Sequence, residues 1–89
     1  MAVVFIPPQL RDMSGGETQI VLSGENVRQI VDGLEQQFPG ISSRLCTSDG
    51  EGLAHGLAVS VDGVMSSRGL YAKVSPQSEV HFLPAIGGG

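Results

Sequence analysis

Residues 26–40, NVRQIVDGLEQQFPG, have the hydrophobic spacing of an amphipathic helix. Apolar side chains recur at steps of three and four residues, which places on one helical face Val27, Ile30, Val31, Leu34 and Phe38. Asn26 can cap the first amides, Gln29 can reach back in a capping-box arrangement, and Pro39-Gly40 supplies the stop. Gly33 costs about 1 kcal/mol relative to alanine in a helix interior and would permit close packing there. A helix with one apolar face needs a second layer to cover it.

The segments on either side of this helix are predicted to be strands. AVVFI (2–6) is continuously apolar and β-branched, which predicts a central strand, and ETQIVLSG (17–24) predicts a second strand joined to it in a long hairpin. LAVSVDGVMSS (57–67) alternates around Asp62-Gly63, which indicates a tight hairpin or a bent strand, and EVHFLP (79–84) is the last strand. The order β-β-α-β-β within 89 residues predicts an α+β domain, one sheet with the helix packed across one face.

Composition excludes several classes of function. Net charge is −4 and the five basic residues are scattered, so no basic stripe is available to neutralise phosphates and nucleic acid is not an expected partner. No apolar run approaches membrane-spanning length, and MAVVFIPPQL lacks the features of a signal peptide, so we expect a cytoplasmic protein with no membrane partner. A single cysteine, Cys46, cannot form an intramolecular disulfide or a thiolate metal site.

The body of the domain offers no convincing active site, metal site or cofactor site. ISSRLC (41–46) is predicted to form a short helical turn, and TSDGEGLAHG (47–56) an exposed loop that matches neither glycine-rich phosphate-binding pattern. His81 is expected to face solvent, on the opposite side of its strand from Val80 and Phe82, because side chains alternate along a strand. The sequence around His55 and His81 does not identify an acidic residue that would act with either histidine in catalysis. No cation flanks Cys46 to lower the pKa of its thiol. An enzyme is therefore not expected.

The chain ends in EVHFLPAIGGG (79–89), and a role in the folded core does not explain why an apolar strand leads into three glycines. Three glycines lose the most conformational entropy on ordering, so we expect a flexible tail at 87–89 that follows a domain of residues 1–86. A frayed end is the simple alternative, but apolar residues continue right up to the glycines. Because glycine has no Cβ, Gly87 and Gly88 could thread a narrow channel and present the carboxylate of Gly89 to another enzyme, where adenylation would activate it.

These residues resemble the MoaD/ThiS-type sulfur carriers, which are ubiquitin-like β-grasp proteins. EVHFLPAIGGG looks like the family's last strand, which runs through a proline into a terminal Gly-Gly, and NVRQIVDGLEQQFPGISSRL is similar to its helix and Pro-Gly exit. VSVDGVM stands in the place of the bent strand pair, and PPQLRDMSGG resembles the first hairpin. The resemblance implies a β-grasp fold with a mixed sheet of four to five strands and one main helix packed across it.

Within the family, PGISSRL and the LR followed by GG most resemble the CysO-type carriers, which serve a cysteine synthase. QSEV replaces the common Gly-Asp-Glu-Val, which we expect to loosen the turn before the last strand. Gly87 stands where alanine or serine is more usual, which adds flexibility. The resemblance implies that an E1-like adenylyltransferase uses ATP with Mg to activate Gly89, and that the adenylate becomes a thiocarboxylate. A sulfide-accepting biosynthetic enzyme, cysteine synthase-like, would then take the sulfur.

The resemblance also implies the roles of the residues before the glycines and leaves the pathway open. Leu83, Pro84, Ala85 and Ile86 would dock on partners together with the sheet surface, and a metallopeptidase could remove residues after Gly89. The sulfur would serve cysteine or a thio-metabolite, with the molybdopterin synthase small subunit and the thiamine-thiazole carrier as alternatives. A ubiquitin-like modifier conjugated to lysines through Gly89 and an inert interaction domain are the alternatives from other classes.

Overall fold

A computed structural model describes residues 1–85, which form one mixed sheet with a main helix across one face. The elements in chain order are β1 (Ala2–Phe5), β2 (Gln19–Leu22), α1 (Val27–Gln37), α2 (Ser42–Leu45), β3 (Leu57–Val61), β4 (Val64–Met65) and β5 (Glu79–Pro84). Two 3₁₀ turns, Pro8–Leu10 and Gly69–Tyr71, lie in the connections. The strand order is β2-β1-β5-β3-β4, so the predicted α+β class and β-grasp arrangement are confirmed. Ile86, Gly87, Gly88 and Gly89 lie outside the described residues, and with them the predicted boundary between domain and tail.

The two long-range pairings of β5 hold the sheet together. β5 runs parallel to β1, with Val80 beside Val4, and antiparallel to β3, with Phe82 beside Val59. The predicted central position of the first strand is confirmed, since β1 lies between β2 and β5. The predicted first hairpin is also present, with Val3 opposite Val21 in the β1–β2 ladder.

The helix α1 covers the inner face of the sheet and closes the core. Four residues of its predicted apolar stripe are buried, and Phe38, which lies just beyond the helix at its C-cap, is half-buried against them. A Cβ on Gly33 would lie 3.3 Å from Leu22 Cδ2, so the helix does approach β2 closely at this glycine. The fully buried side chains come from every layer and include Val4, Ile6, Ile30, Leu34, Ile41, Leu45, Val59, Leu70 and Val80.

The start of α1 differs in one contact from the predicted capping box. Asn26 Oδ1 accepts the amide hydrogen of Gln29 at 2.8 Å, as expected of an N-cap. Gln29 Oε1, however, accepts the amide hydrogen of Glu25 at 2.8 Å rather than that of Asn26. The reason is tertiary: Glu25 and Asn26 lie beside residues 72–74, with Val27 donating to the Ala72 carbonyl at 3.0 Å and Val74 donating to that of Glu25 at 3.0 Å.

Two turns determine how the strands enter the sheet. Asp62 and Gly63 form the two-residue loop of the β3–β4 hairpin, and their φ angles of 55° and 83° are those that a type I′ turn requires. This resolves the predicted choice between a hairpin and a bend in favour of the hairpin. Before β5, Ser78 donates its amide hydrogen to the Ser75 carbonyl at 3.1 Å, and Ser75 donates its own to Ser78 Oγ at 3.0 Å. The turn is closed, and the loosening predicted from QSEV is not observed.

The connection between α1 and α2 is held in place by one carboxylate, that of Glu35. Glu35 Oε2 accepts the amide hydrogen of Gly40 at 2.8 Å, and Oε1 accepts that of Ser42 at 2.9 Å. These hydrogen bonds favour the ionised carboxylate and lower the pKa of Glu35. Gly40 reverses the chain at a φ of 100°, and α2 follows as the predicted short helical turn. Within residues 1–85 no helix has the length and apolar character needed to cross a membrane.

Candidate functional site

The last strand, β5, carries the chain to the edge of the described structure. Val80 and Phe82 are buried and belong to the same hydrophobic core as the apolar residues of α1. Leu83 pairs with Ala58 and Pro84 with Leu57, and β5 ends at Pro84. One further backbone hydrogen bond follows, from the Ala85 amide to the Gly56 carbonyl at 2.9 Å. The chain is therefore held firmly in the sheet up to Ala85.

The predicted site residues fall on both sides of this point. Leu83 and Ala85 are half-buried and Pro84 is exposed. Ile86 and the glycines Gly87, Gly88 and Gly89 lie outside the described residues. Four residues follow Ala85 and can span at most about 14 Å when fully extended. An enzyme that acts on the carboxylate of Gly89 would therefore have its reacting centre within that distance of Ala85.

An aromatic pair lies on the outer face of the sheet beside this exit. Phe5 and His81 are adjacent in the parallel β1–β5 register, and their rings stack with centroids 4.1 Å apart at 13°. His81 faces away from Val80 and Phe82, as predicted, and its side chain is 40% exposed. Its Nε2 lies 3.6 Å from Glu79 Oε1. The stack was not foreseen because the pairing of β1 with β5 joins segments at opposite ends of the chain.

Leu83 and Ala58 continue this surface toward the exit, since they alternate with the inward-facing Phe82 and Val59. Helix α1 covers the other face of the sheet. The outer face near the exit is therefore a partly exposed surface of aromatic and aliphatic side chains, which we call the exit face: Phe5, Ala58, His81 and Leu83. Its position makes it the sheet surface nearest to the predicted reactive end.

The structure also places Cys46 and His55, the other two side chains considered for chemistry in the sequence. Cys46 is half-buried, and burial raises the pKa of its thiol; the nearby Arg28 acts in the opposite direction with a smaller effect. Its thiol is thus kept protonated, which agrees with a structural role. His55 is exposed in the loop at 47–56. Among residues 1–85, no three or more His, Cys, Asp or Glu side chains are grouped so that they could hold a metal ion.

Comparison with known proteins agrees with this architecture. The model of the ThiS family matches residues 4–89. The sulfur carrier protein CysO of Mycobacterium tuberculosis is 33% identical over 97% of this chain and 96% of its own length. One chain in the crystal structure of the Amycolatopsis orientalis BexX/CysO complex is 34% identical to this protein. The match covers 100% of this protein and 100% of that chain, with a TM-score of 0.86.

More distant structures share the fold. The small archaeal modifier protein 1 of Methanosarcina acetivorans is 22% identical, covers 99% of this chain and 95% of its own, and has a TM-score of 0.79. At this identity the likeness concerns the β-grasp fold alone. The family match and the similarity to CysO both extend over nearly the whole length of the chain. The chain therefore belongs to the ThiS family, as a MoaD/ThiS-type sulfur carrier similar to CysO.

Proposed function

We propose that this protein carries sulfur as a thiocarboxylate on Gly89 and donates it in the biosynthesis of cysteine or of a sulfur-containing metabolite. The observation that carries the proposal is the family match, which spans residues 4–89 and so includes the Gly88-Gly89 end. The relatives named CysO are sulfur carriers by name. On this proposal the protein is a cosubstrate, and the catalytic groups belong to its partners.

The proposed chemistry begins with activation of the carboxylate. In an E1-like partner that binds ATP with Mg, a Gly89 carboxylate oxygen attacks the α-phosphorus and pyrophosphate leaves. Sulfide then displaces AMP from the acyl-adenylate and leaves a thiocarboxylate. The thiocarboxylate is ionised at neutral pH, and its sulfur attacks an electrophile held by the accepting enzyme, which links the acceptor to Gly89 through sulfur. Hydrolysis of the bond between the acyl carbon and sulfur then leaves the sulfur on the acceptor and returns the Gly89 carboxylate.

The exit face fits the docking that this cycle requires. Gly87 and Gly88 would pass through the partner's channel, while Leu83, Pro84, Ala85 and Ile86, with the exit face beside them, contact its surface. Aromatic side chains are enriched at protein interfaces, and the exit face presents the Phe5–His81 stack. The related CysO of Amycolatopsis orientalis is seen in a complex with BexX, which supports a carrier that works through protein partners.

Intact-mass spectrometry tests the proposal directly. The protein is coexpressed with the E1-like enzyme encoded nearest to it and supplied with sulfide, and we expect a species heavier by the difference between sulfur and oxygen. A chain truncated after Gly87 should stay unmodified under the same conditions. If the full chain also stays unmodified, the proposal fails. Isopeptide adducts on lysines of other proteins, in place of the thiocarboxylate, would instead indicate a protein modifier.

A further inference from the structure

A second surface lies at the other edge of the sheet, around β4. Five large hydrophobic side chains are strongly exposed among residues 1–85, and two of them lie here: Val64 at 69% and Met65 at 54%. Two exposed cations, Arg68 and Lys73, line the same cleft. We call these four residues the β4 corner. Met and Arg are enriched in protein interfaces relative to the rest of the surface.

The β4 corner contains a cleft of about 450 Å³ between β4 and the following segment. Its apolar lining comes from Val61, Val64 and Ala72, and Arg68 and Lys73 lie on its rim. Within residues 1–85, neither cation lies within 4.0 Å of a carboxylate oxygen, and no described carboxylate lines the cleft. In a chain of net charge −4, this pairing of an apolar slot with two cations is complementary to an acidic, partly apolar ligand.

The backbone at this edge is also available. Ser66 donates its amide hydrogen to the Val59 carbonyl at 3.0 Å, and Val61 pairs with Val64 across the turn. Since hydrogen-bonded and non-hydrogen-bonded pairs alternate in an antiparallel ladder, the N–H and C=O of Met65 point away from β3. β4 is one of the two edge strands of the sheet. An extended segment can bond to such an edge through its own backbone.

The β4 corner lies two strands away from the exit face. Met65 pairs with Ser60, which pairs in turn with His81, so the two surfaces are roughly 10 Å apart across the sheet. The β3–β4 turn lies near Val80, which pairs with Val61, whereas the exit lies beyond Pro84. Five steps of extended strand separate Val80 from Ala85, or roughly 17 Å, so the turn end of the corner is distant from the end of β5.

We propose that the β4 corner binds an extended acidic segment of a partner protein, because an apolar cleft, two cations without a carboxylate partner among residues 1–85 and an exposed strand edge meet there. An aliphatic side chain of the segment fills the cleft, flanking carboxylates pair with Arg68 and Lys73, and one residue bonds to the Met65 backbone. A short segment bound there leaves the end of β5, roughly 17 Å from the β3–β4 turn, uncovered. The carrier would then be held by one protein while its tail is used by another.

The test titrates the ¹⁵N-labelled full chain with a blocked peptide of sequence Glu-Glu-Val-Thr-Val-Glu-Glu, followed by NMR. We expect shifts centred on the Met65, Ser66 and Arg68 amides. Arg68→Glu should raise the Kd at least about tenfold, whereas Arg44→Glu, the same charge change on exposed α2, should leave it unchanged. Val64→Asp should abolish binding, because it removes the apolar wall and repels the glutamates, and its matched control Val21→Asp, an exposed valine on the other edge strand, should not.

Several outcomes would overturn this assignment. Absence of binding, shifts centred elsewhere, or equal weakening by Arg44→Glu would each do so. So would equal binding of a peptide with lysine in place of every glutamate. Self-association that needs residues 86–89 would assign the corner to the tail of a second copy instead. Adenylation of the Arg68→Glu variant at the normal rate is expected, which separates a failure here from a failure of the sulfur-carrier proposal.

Discussion

Asp62 shows how one side chain can join two parts of the sheet. It adopts a φ of 55° in the β3–β4 turn, a conformation that Asp and Asn tolerate better than most residues. Its Oδ1 accepts the Glu79 amide hydrogen at 2.9 Å, and its Oδ2 accepts the hydroxyl hydrogen of the buried Ser78 at 2.9 Å. The Asp-Gly pair predicts the turn, but its contact with the start of β5 depends on a residue sixteen positions away.

We predict that Asp62→Ala lowers the free energy of unfolding by about 2 kcal/mol, because both acceptors are lost and alanine is strained at positive φ. Asp62→Asn should cost less than about 1 kcal/mol, since asparagine favours this turn and keeps one carbonyl oxygen. Asp62→Gly should fall between them. Urea denaturation of the three variants checks the order. If Asp62→Asn and Asp62→Ala lost the same free energy of unfolding, neither the positive φ nor the side-chain acceptor at position 62 would stabilise the turn.

The lowered pKa of Glu35 predicts how the stability of the protein depends on pH. Its pKa is lowered in the folded protein, so its stabilising effect is complete above the ordinary carboxyl pKa of about 4.3 and is lost as the pH falls through the lower folded value. We expect the stability difference between the native chain and Glu35→Gln to shrink as the pH is lowered across that interval. Chemical denaturation at a series of pH values measures it. A difference that does not change with pH would rule out this contribution.

At the scale of elements, helix α1 shows the strength of local sequence signals and their limit. The stripe at Val27, Ile30 and Leu34 and the cap at Asn26 depend on residues within two turns of each other, and both are observed. The position of Gln29 Oε1 on the Glu25 amide was missed, because residues 72–74 hold that part of the chain in place. Local spacing could not reveal a contact made from the other half of the chain.

Replacing the cap tests the contribution of local structure to α1. Asn26→Ala leaves the Gln29 amide without its side-chain acceptor, and we expect a loss of about 1 kcal/mol in the free energy of unfolding. Asn26→Asp should retain most of the stability because aspartate caps equally well. Thermal and urea unfolding, followed by circular dichroism, provide the measurement. If Asn26→Asp lost as much free energy of unfolding as Asn26→Ala, Asn26 would not stabilise the helix through its capping hydrogen bond.

For the whole molecule, the central position of β5 links the fold to the proposed function. β5 is paired on both sides, and this pairing places Leu83 in the exit face, next to the end of the strand. The order of the strands could be expected only through the family resemblance, since no single segment encodes its partners. The parallel pairing of β1 with β5 brings Phe5 beside His81 across most of the chain length.

We predict that Leu83→Lys reduces kcat/KM for adenylation by at least about tenfold, mainly through KM, because a charge at the centre of a docking surface weakens binding. Val21→Lys, on the outer face of the edge strand β2, serves as the control and should leave adenylation unchanged. Pyrophosphate release by the activating enzyme gives the rate, and circular dichroism confirms that both variants fold. Equal effects of the two variants would exclude the exit face as the docking surface.

By itself, the sequence determined the amphipathic helix, its Asn26 cap, the apolar last strand and a break at Asp62-Gly63, which it left open between a hairpin and a bent strand. These follow from residues close together in the chain, where spacing and turn preferences act directly. Tertiary structure alone decided which strands pair, that Asp62 holds Ser78, that Phe5 stacks on His81 and that Arg68 and Lys73 share one cleft. Those contacts join distant segments, so their geometry exists only once the β1–β5 and β3–β5 ladders have formed.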